Sequence, residues 1–201
     1  MTDMDDFLSL VVKTAGLIDR DRLEGLVERL VEVRDGGGRV FVLGVGGSAA
    51  NASHAVNDFR KLCGIEAYAP ADNVAELTAR TNDEGWETTF VEWLRTSRLS
   101  ERDAVLVLSV GGGDAAHGVS VNIVRAVDEA RARGARILGI VGRDGGHTAR
   151  VGDAVVIVPT VDQARITPIC ESFQSVLLHG VVSDPRLATA TAKWEAVGHE
   201  S

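Results

Sequence analysis

Four side chains able to bind a metal ion or move a proton fall on two stretches with helical spacing. His54 and Asp58 are four residues apart in "SAANASHAVNDFRK" and so share one helix face. Glu171 and His179, eight apart in "ICESFQSVLLH", share a face of another helix, with Ser175 between them. Imidazole nitrogen with carboxylate oxygen is a donor set that suits zinc and neighbouring divalent ions, with a position left for water or substrate. The same four groups without a metal suit aldose–ketose isomerisation. That reaction moves a proton between adjacent carbons through an enediol(ate), so it needs a base over the C–H and an acid on the carbonyl oxygen. Taken singly, each residue reads as a solvated or hydrogen-bonded helix side chain; two pairs on two helices can converge.

Three glycine-rich stretches add a second chemistry: "GVGGS" (Gly44 to Ser48), "SVGGGD" (Ser109 to Asp114) and "VGRDGG" (Val141 to Gly146). Each follows an apolar, β-branched run without polar alternation, the pattern of a strand buried on both faces of a parallel sheet. Those runs are 39–45, 103–110 and 135–142, and a fourth lies at 153–159. Helical patterns follow at about 48–63, 114–133 and 167–182, and one or two helices precede the first strand between Asp5 and Val33. Alternation of this kind predicts βαβ units: an α/β fold with a single doubly wound, mostly parallel sheet flanked by helices, and an N-terminal helical segment. In such sheets ligands sit beyond the carboxyl ends of the strands, where helix N-termini present free N–H groups. Gly46, Gly47 and Ser48 at one strand end, and Ser109 with Gly111, Gly112 and Gly113 at the next, are therefore the expected seat of a small phosphorylated molecule.

The region 73–98 reads as two helical pieces interrupted at Asn82 to Gly85, where Asn82 and Asp83 look like a cap or turn. Arg143 and Asp144 either contact substrate or pair with each other. Trp86, Phe90 and Trp93, at roughly helical spacing, read as core or interface. His117, His147 and His199 read as solvent-facing.

With 201 residues and 45% hydrophobic content, the chain is expected to form one domain: helices for packing and oligomerisation at 1–35, the α/β core at 38–185, and a polar tail at 186–201. A net charge of −8 argues against nucleic-acid or membrane-surface partners, which are anionic. No apolar run approaches the ~20 residues of a membrane span, and the acidic N-terminus is unlike a signal peptide. Cys63 and Cys170 form no C-x-x-C pair and read as buried thiols of a reducing compartment, so a cytoplasmic protein is expected. "GVGGSA" also fits the permissive dinucleotide pattern, with Glu66 where a ribose-binding acid would stand. Repetition of the glycine device at successive strand ends favours phosphate binding over that NAD reading.

Four stretches together, "GVGGSAANASHAVNDF", "TARTNDEG", "VGRDGG" and "ICESFQSVLLH", resemble the sugar isomerase (SIS) fold and, within it, the phosphoheptose isomerases. The resemblance covers nearly the whole chain. It implies a flavodoxin-like three-layer sandwich and interconversion of sedoheptulose 7-phosphate and D-glycero-D-manno-heptose 7-phosphate, feeding nucleotide-activated heptose synthesis. It also implies a homotetramer with active sites at subunit interfaces and a zinc-binding quartet of His54, Asp58, Glu171 and His179. His179 and Asp58 would do the acid/base work, and Asp83 would contact the sugar. The family more often carries Glu at the position of Asp58 and Gln at that of Glu171. Its hydroxyl-rich "STSGNS"-like phosphate loop is here "SVGGGD", where Asp114 would repel a phosphate unless it turns away. That altered loop leaves a second reading open: a catalytically silent SIS protein that binds a sugar phosphate as sensor or scaffold.

Overall fold

The four apolar runs are strands in the computed structural model, which describes residues 2–197: β1 (Arg39–Leu43), β3 (Ala104–Ser109), β4 (Arg136–Val141) and β5 (Ala154–Ile157). A fifth strand, β2 (Glu66–Tyr68), lies at the edge; three residues with only the middle one buried gave no periodic signal. It also takes Glu66 into the sheet edge rather than a ribose site. All strand pairs are parallel, and the spatial order is β2-β1-β3-β4-β5.

Alternation along each strand divides the core into two layers. Val40, Val42, Leu106, Leu108, Leu138 and Ile140 face helices α2 (Arg20–Asp35), α3 (Gly47–Leu62) and α8 (Ile166–Val182). Phe41, Leu43, Val105, Val107, Ile137 and Val141 face α5 (Thr89–Thr96) and α6 (Val121–Ala132). Short α7 (Gly146–Val151) lies beside them, with Ala149 and Val151 against that layer. Phe90 is buried in this second layer and Trp93 meets Phe41 edge-on at 5.4 Å, so these two belong to the core, whereas Trp86 stays half exposed against Phe90.

The N-terminal segment is two helices. α1 (Asp3–Leu17) starts at a capping box of Thr2 and Asp5, and α2 starts at Asp19, whose carboxylate accepts from Arg22 N–H. α2 buries Leu26, Val27, Leu30 and Val33, whereas α1 leaves Met4, Leu8 and Val12 exposed at i, i+4 spacing.

Two expected boundaries move. The helix expected from Asp114 begins only at Val121, because Asp114 and Val119 close a small antiparallel bridge. The break expected at Asn82 falls at Gly85 (φ +90°), so Asn82 and Asp83 occupy the exposed last turn of α4 (Val74–Glu84). Past α8 the tail runs through Ala188 and Ala190 to α9 (Lys193–Val197); His199 lies outside the described residues.

Because β1 sits between β2 and β3, chain connections leave it in opposite directions, which opens a crevice at the carboxyl ends of β1 and β3. The glycine loops at 44–47 and 109–113 edge that crevice.

Candidate active site

α3 and α8 run side by side in the same direction, as three levels of contact show. At the first level, Glu171 stands over Gly47, and a Cβ added at Gly47 would come within 2.8 Å of all three atoms of that carboxyl group. At the second, Asn51 Nδ2 donates to the Glu171 carbonyl (2.9 Å) and to Gln174 Oε1 (3.0 Å), while Ser175 Oγ donates to Asn51 Oδ1 (2.9 Å). At the third, His54, Asp58 and His179 converge. His54 Nε2 lies 3.4 Å from His179 Nε2 and 3.3 Å from Asp58 Oδ2, and His179 Nε2 lies 3.8 Å from the same oxygen. The second Asp58 oxygen accepts from Asn57 Nδ2 at 2.9 Å. Asp58 is buried while both imidazoles stay more than half exposed, so the cluster opens outward.

These separations fit a metal ion. Ligands 2.0–2.2 Å from a tetrahedral centre stand about 3.3–3.6 Å apart; two of the three edges match and the third is longer by a few tenths of an ångström. Two ring nitrogens facing each other over an adjacent carboxylate need a shared proton or a cation between them. Glu171 does not join the group, contrary to the expected quartet. It shares the α8 face with His179, but eight residues at 1.5 Å rise put it about 12 Å away along the axis. Its carboxylate stands at the α3 N-terminus instead. The triad lines a cavity of about 530 Å³, together with Leu62, Ser183 and the tail residues Ala188, Ala190, Thr191 and Ala192, which form its tail wall. That wall is fixed where the N–H groups of Thr189 and Ala190 donate to the Leu62 carbonyl at the end of α3.

The phosphate seat follows from helix ends. α3 starts without a side-chain cap after Gly46 (φ +65°), and Ala49 and Ala50 both donate to the Gly46 carbonyl. Among the described residues the N–H groups of Gly47 and Ser48 make no hydrogen bond, so α3 presents free donors and its positive end, with the Glu171 carboxylate beside Gly47 and buried Ser48 beneath. The second loop behaves differently from expectation. Ser109 Oγ accepts from the N–H groups of Gly112 (3.0 Å) and Gly111 (3.4 Å), closing those donors onto the loop itself. Gly112 (φ +68°) and Gly113 turn their carbonyls to Thr148 N–H and His147 N–H, locking the second glycine loop to the third. Asp114 turns away from the crevice: its carboxylate accepts from the Ala116 and His117 N–H groups and pairs with the His117 ring at 2.7 Å. That pairing with His117 holds its carboxyl below the usual range.

Arg143 and Asp144 do not pair. Asp144 accepts from Gly146 N–H, and Arg143, at φ +53°, shares with it, Thr160 and Gln163 the edge of a separate cavity of about 410 Å³. Asn82 donates to Asp83 Oδ1 at 2.7 Å, and both are exposed. His117 is exposed as expected, but His147 is largely covered and its ring pairs with Asp128 at 2.7 Å. Sequence reasoning missed Asn51, Asn57 and the tail wall. Asn51 sits one turn before His54, as Ser175 does before His179, so the face spacing that found the histidines also points to it.

The model of the SIS domain family matches residues 6–142. The phosphoheptose isomerase of Trichlorobacter lovleyi is 32% identical over 168 residues, covering 81% of this chain and 82% of that one. The phosphoheptose isomerase of Mycobacterium bovis is 33% identical over 183 residues, covering 86% and 87%. Among solved structures, a phosphoheptose isomerase from Neisseria gonorrhoeae matches with a TM-score of 0.75 at 24% identity, covering 89% of this chain and 95% of that one, which supports the fold. With a matched domain of that extent and relatives that similar along most of their length, the chain belongs to the SIS domain family and, within it, to the phosphoheptose isomerases.

Proposed function

We propose that this isomerase converts sedoheptulose 7-phosphate to D-glycero-D-manno-heptose 7-phosphate at a site that runs along α3 from the glycine loop at its start to the triad of His54, Asp58 and His179. The observation that carries the reading is the convergence of His54, Asp58 and His179 seven to eleven residues along α3 from the free N–H groups of Gly47 and Ser48. Seven residues of helix span about 10 Å, room for an extended sugar phosphate whose phosphate rests on the helix end and whose C1–C2 end reaches the triad.

The Asp58 carboxylate takes the proton from C1 while His179 gives a proton to the C2 carbonyl oxygen, forming the enediol. His179 then takes the proton from the C1 hydroxyl as Asp58 returns one to C2, which yields the aldose and restores both groups. His54 and Asn57 hold these two in place. A divalent ion, with zinc the first expectation, fits His54, Asp58 and His179 as ligands; with it in place His179 would serve as a ligand, and the ion would supply the polarisation of the C2 carbonyl that the His179 proton gives in its absence. Gly46, Gly47 and Ser48 bind the phosphate. Asn82, Asp83, Arg143 and Asp144 are assigned to the sugar only through the family resemblance, because they lie on other elements. Glu171 is assigned to the phosphate end rather than to the metal.

The exposed Met4, Leu8 and Val12 on α1 favour self-association, in keeping with a homotetramer whose sites sit at subunit interfaces. No described helix is long and apolar enough to cross a membrane; the cytoplasmic assignment rests on composition.

The closed Ser109 loop favours a second reading, a silent sugar-phosphate binder. Incubation with sedoheptulose 7-phosphate, followed by NMR beside His179→Ala and Asp58→Ala controls, separates the two. Conversion that both substitutions abolish supports the isomerase. Binding without conversion favours the sensor, and conversion retained in either variant removes that residue from the mechanism.

A further inference from the structure

The approach of His54 to His179 depends on how far α3 has slid along α8. The α3 residues in the shared core are Ala52, Ala55, Val56 and Phe59; hydrophobic burial is non-directional, so directional hydrogen bonds add the precision in register that burial alone leaves open. Among the described residues, the polar links between the two helices outside the triad are the three hydrogen bonds of Asn51, its Nδ2 to the Glu171 carbonyl and to Gln174 Oε1 and Ser175 Oγ to its Oδ1, and one weak bond past the far end of α3, from Cys63 Sγ to the Val182 carbonyl at 3.8 Å. Gln174 is fully buried and its amide nitrogen otherwise meets only Cys170 Sγ at 3.9 Å, so its orientation also depends on Asn51.

We propose that Asn51 is a positioning residue: by holding Gln174, Ser175 and the Glu171 carbonyl it fixes the axial register of α3 against α8, and with it the 3.4 Å approach of His54 to His179. The clamp sits one turn before each histidine, so an axial slip passes undiminished to both rings. A slip of one helical residue is 1.5 Å, and a misplacement of about 1 Å costs on the order of a hundredfold in rate. The phosphate donors, the N–H groups of Gly47 and Ser48, belong to α3 and move with it, and the slip only shifts the Glu171 carboxylate of α8 beside them. The clamp therefore acts chiefly on the triad. The inference rests on the reading of the triad as the reacting centre and metal site.

The test uses the full chain in substrate-free form, titrated with Co²⁺, together with steady-state turnover of sedoheptulose 7-phosphate. Asn51→Ala and the milder Ser175→Ala, which removes one bond and leaves Gln174 satisfied, are compared with Ser175→Thr, which keeps the hydroxyl, and with His54→Ala. The expected result is a loss of Co²⁺ affinity of roughly 10–100-fold, the usual effect of removing outer-shell support. A matching fall in kcat with KM within twofold, and recovery in Ser175→Thr, complete it. Folded Asn51→Ala and Ser175→Ala proteins that bind Co²⁺ and turn over like wild type, while His54→Ala loses the ion, overturn the positioning role alone. Unchanged Co²⁺ binding in His54→Ala overturns the metal site and the inference with it. Should Asn51→Ala fail to fold, Ser175→Ala decides between these outcomes.

Discussion

Replacing Glu171 by Gln should tighten binding of the sugar phosphate, an outcome opposite to that expected of a lost metal ligand. The Glu171 carboxylate lies against Gly47, at the helix end where the phosphate is placed. A phosphate carrying close to two charges on the Gly47 and Ser48 N–H groups would stand about 6 Å from it. Coulomb's law in a water-like dielectric then gives roughly 1.4 kcal/mol of repulsion, or about tenfold in affinity. Gln keeps the size and removes the charge. Screening over a Debye length of about 30 Å at 0.01 M, 10 Å at 0.1 M and 3 Å at 1 M reduces the effect to roughly sevenfold, fourfold and less than twofold. The assay is KM for sedoheptulose 7-phosphate at those three ionic strengths, with Co²⁺ affinity measured alongside. Lower KM in Glu171→Gln, converging with wild type at high salt, with kcat and Co²⁺ affinity unchanged, is the expected pattern. An unchanged KM at low salt removes the phosphate from the α3 N-terminus, and a weakened Co²⁺ site returns Glu171 to the metal.

Three further outcomes test the scaffold. Asp103, 2% exposed, accepts from the backbone and side chain of Arg39 and of Ser100, and its removal leaves those donors stranded; Asp103→Ala should cost about 3–5 kcal/mol, seen as a Tm drop of roughly 10 °C. Burial alone would raise the Asp103 carboxyl, but Arg39 and Ser100 outweigh it and hold it below its usual value. Its stabilisation is therefore present above the ordinary aspartate range and declines as pH falls through the lowered value, so the gap between the urea curves of wild type and variant should narrow as the pH is taken below that range; a gap that does not narrow refutes the assignment. Burial pushes the Cys63 thiol to about 11 and the Cys170 thiol to about 12, so neither should react with a disulfide reagent at pH 8 until urea unfolds the chain, and rapid native labelling of either contradicts its placement. Gly112→Ala combines a φ of +68° with a Cβ driven into the Gly145 carbonyl, and should give insoluble protein or a loss above about 3 kcal/mol; a Tm within a few degrees of wild type would mean that the two loops are not locked together.

The sheet was legible where burial on both faces left uninterrupted apolar runs, as in "VFVL" and "AVLVLS", and not where β2 is three residues long with two exposed. Local polar closure hid other boundaries: the Asp114–Val119 bridge delays α6, and Ser109 draws in amides that spacing alone would assign to a ligand. At the site, i, i+4 spacing correctly joined His54 to Asp58. The i, i+8 spacing put Glu171 on the right face but could not say which turn of α3 it meets, because that is decided by the register of two helices more than a hundred residues apart in sequence. For the same reason the tail wall at Ala188 to Ala192 was invisible: nothing in a run of small residues announces the Leu62 carbonyl that anchors it.

The most direct measurement is to run the purified protein on sedoheptulose 7-phosphate in D₂O and read the product by proton NMR, with His179→Ala beside it. Aldose carrying deuterium at C2 is expected, because Asp58 exchanges the proton it carries with solvent before returning it, and no product is expected from the variant. Aldose formed equally by both proteins, or no aldose from the wild type despite bound substrate, would contradict this mechanism.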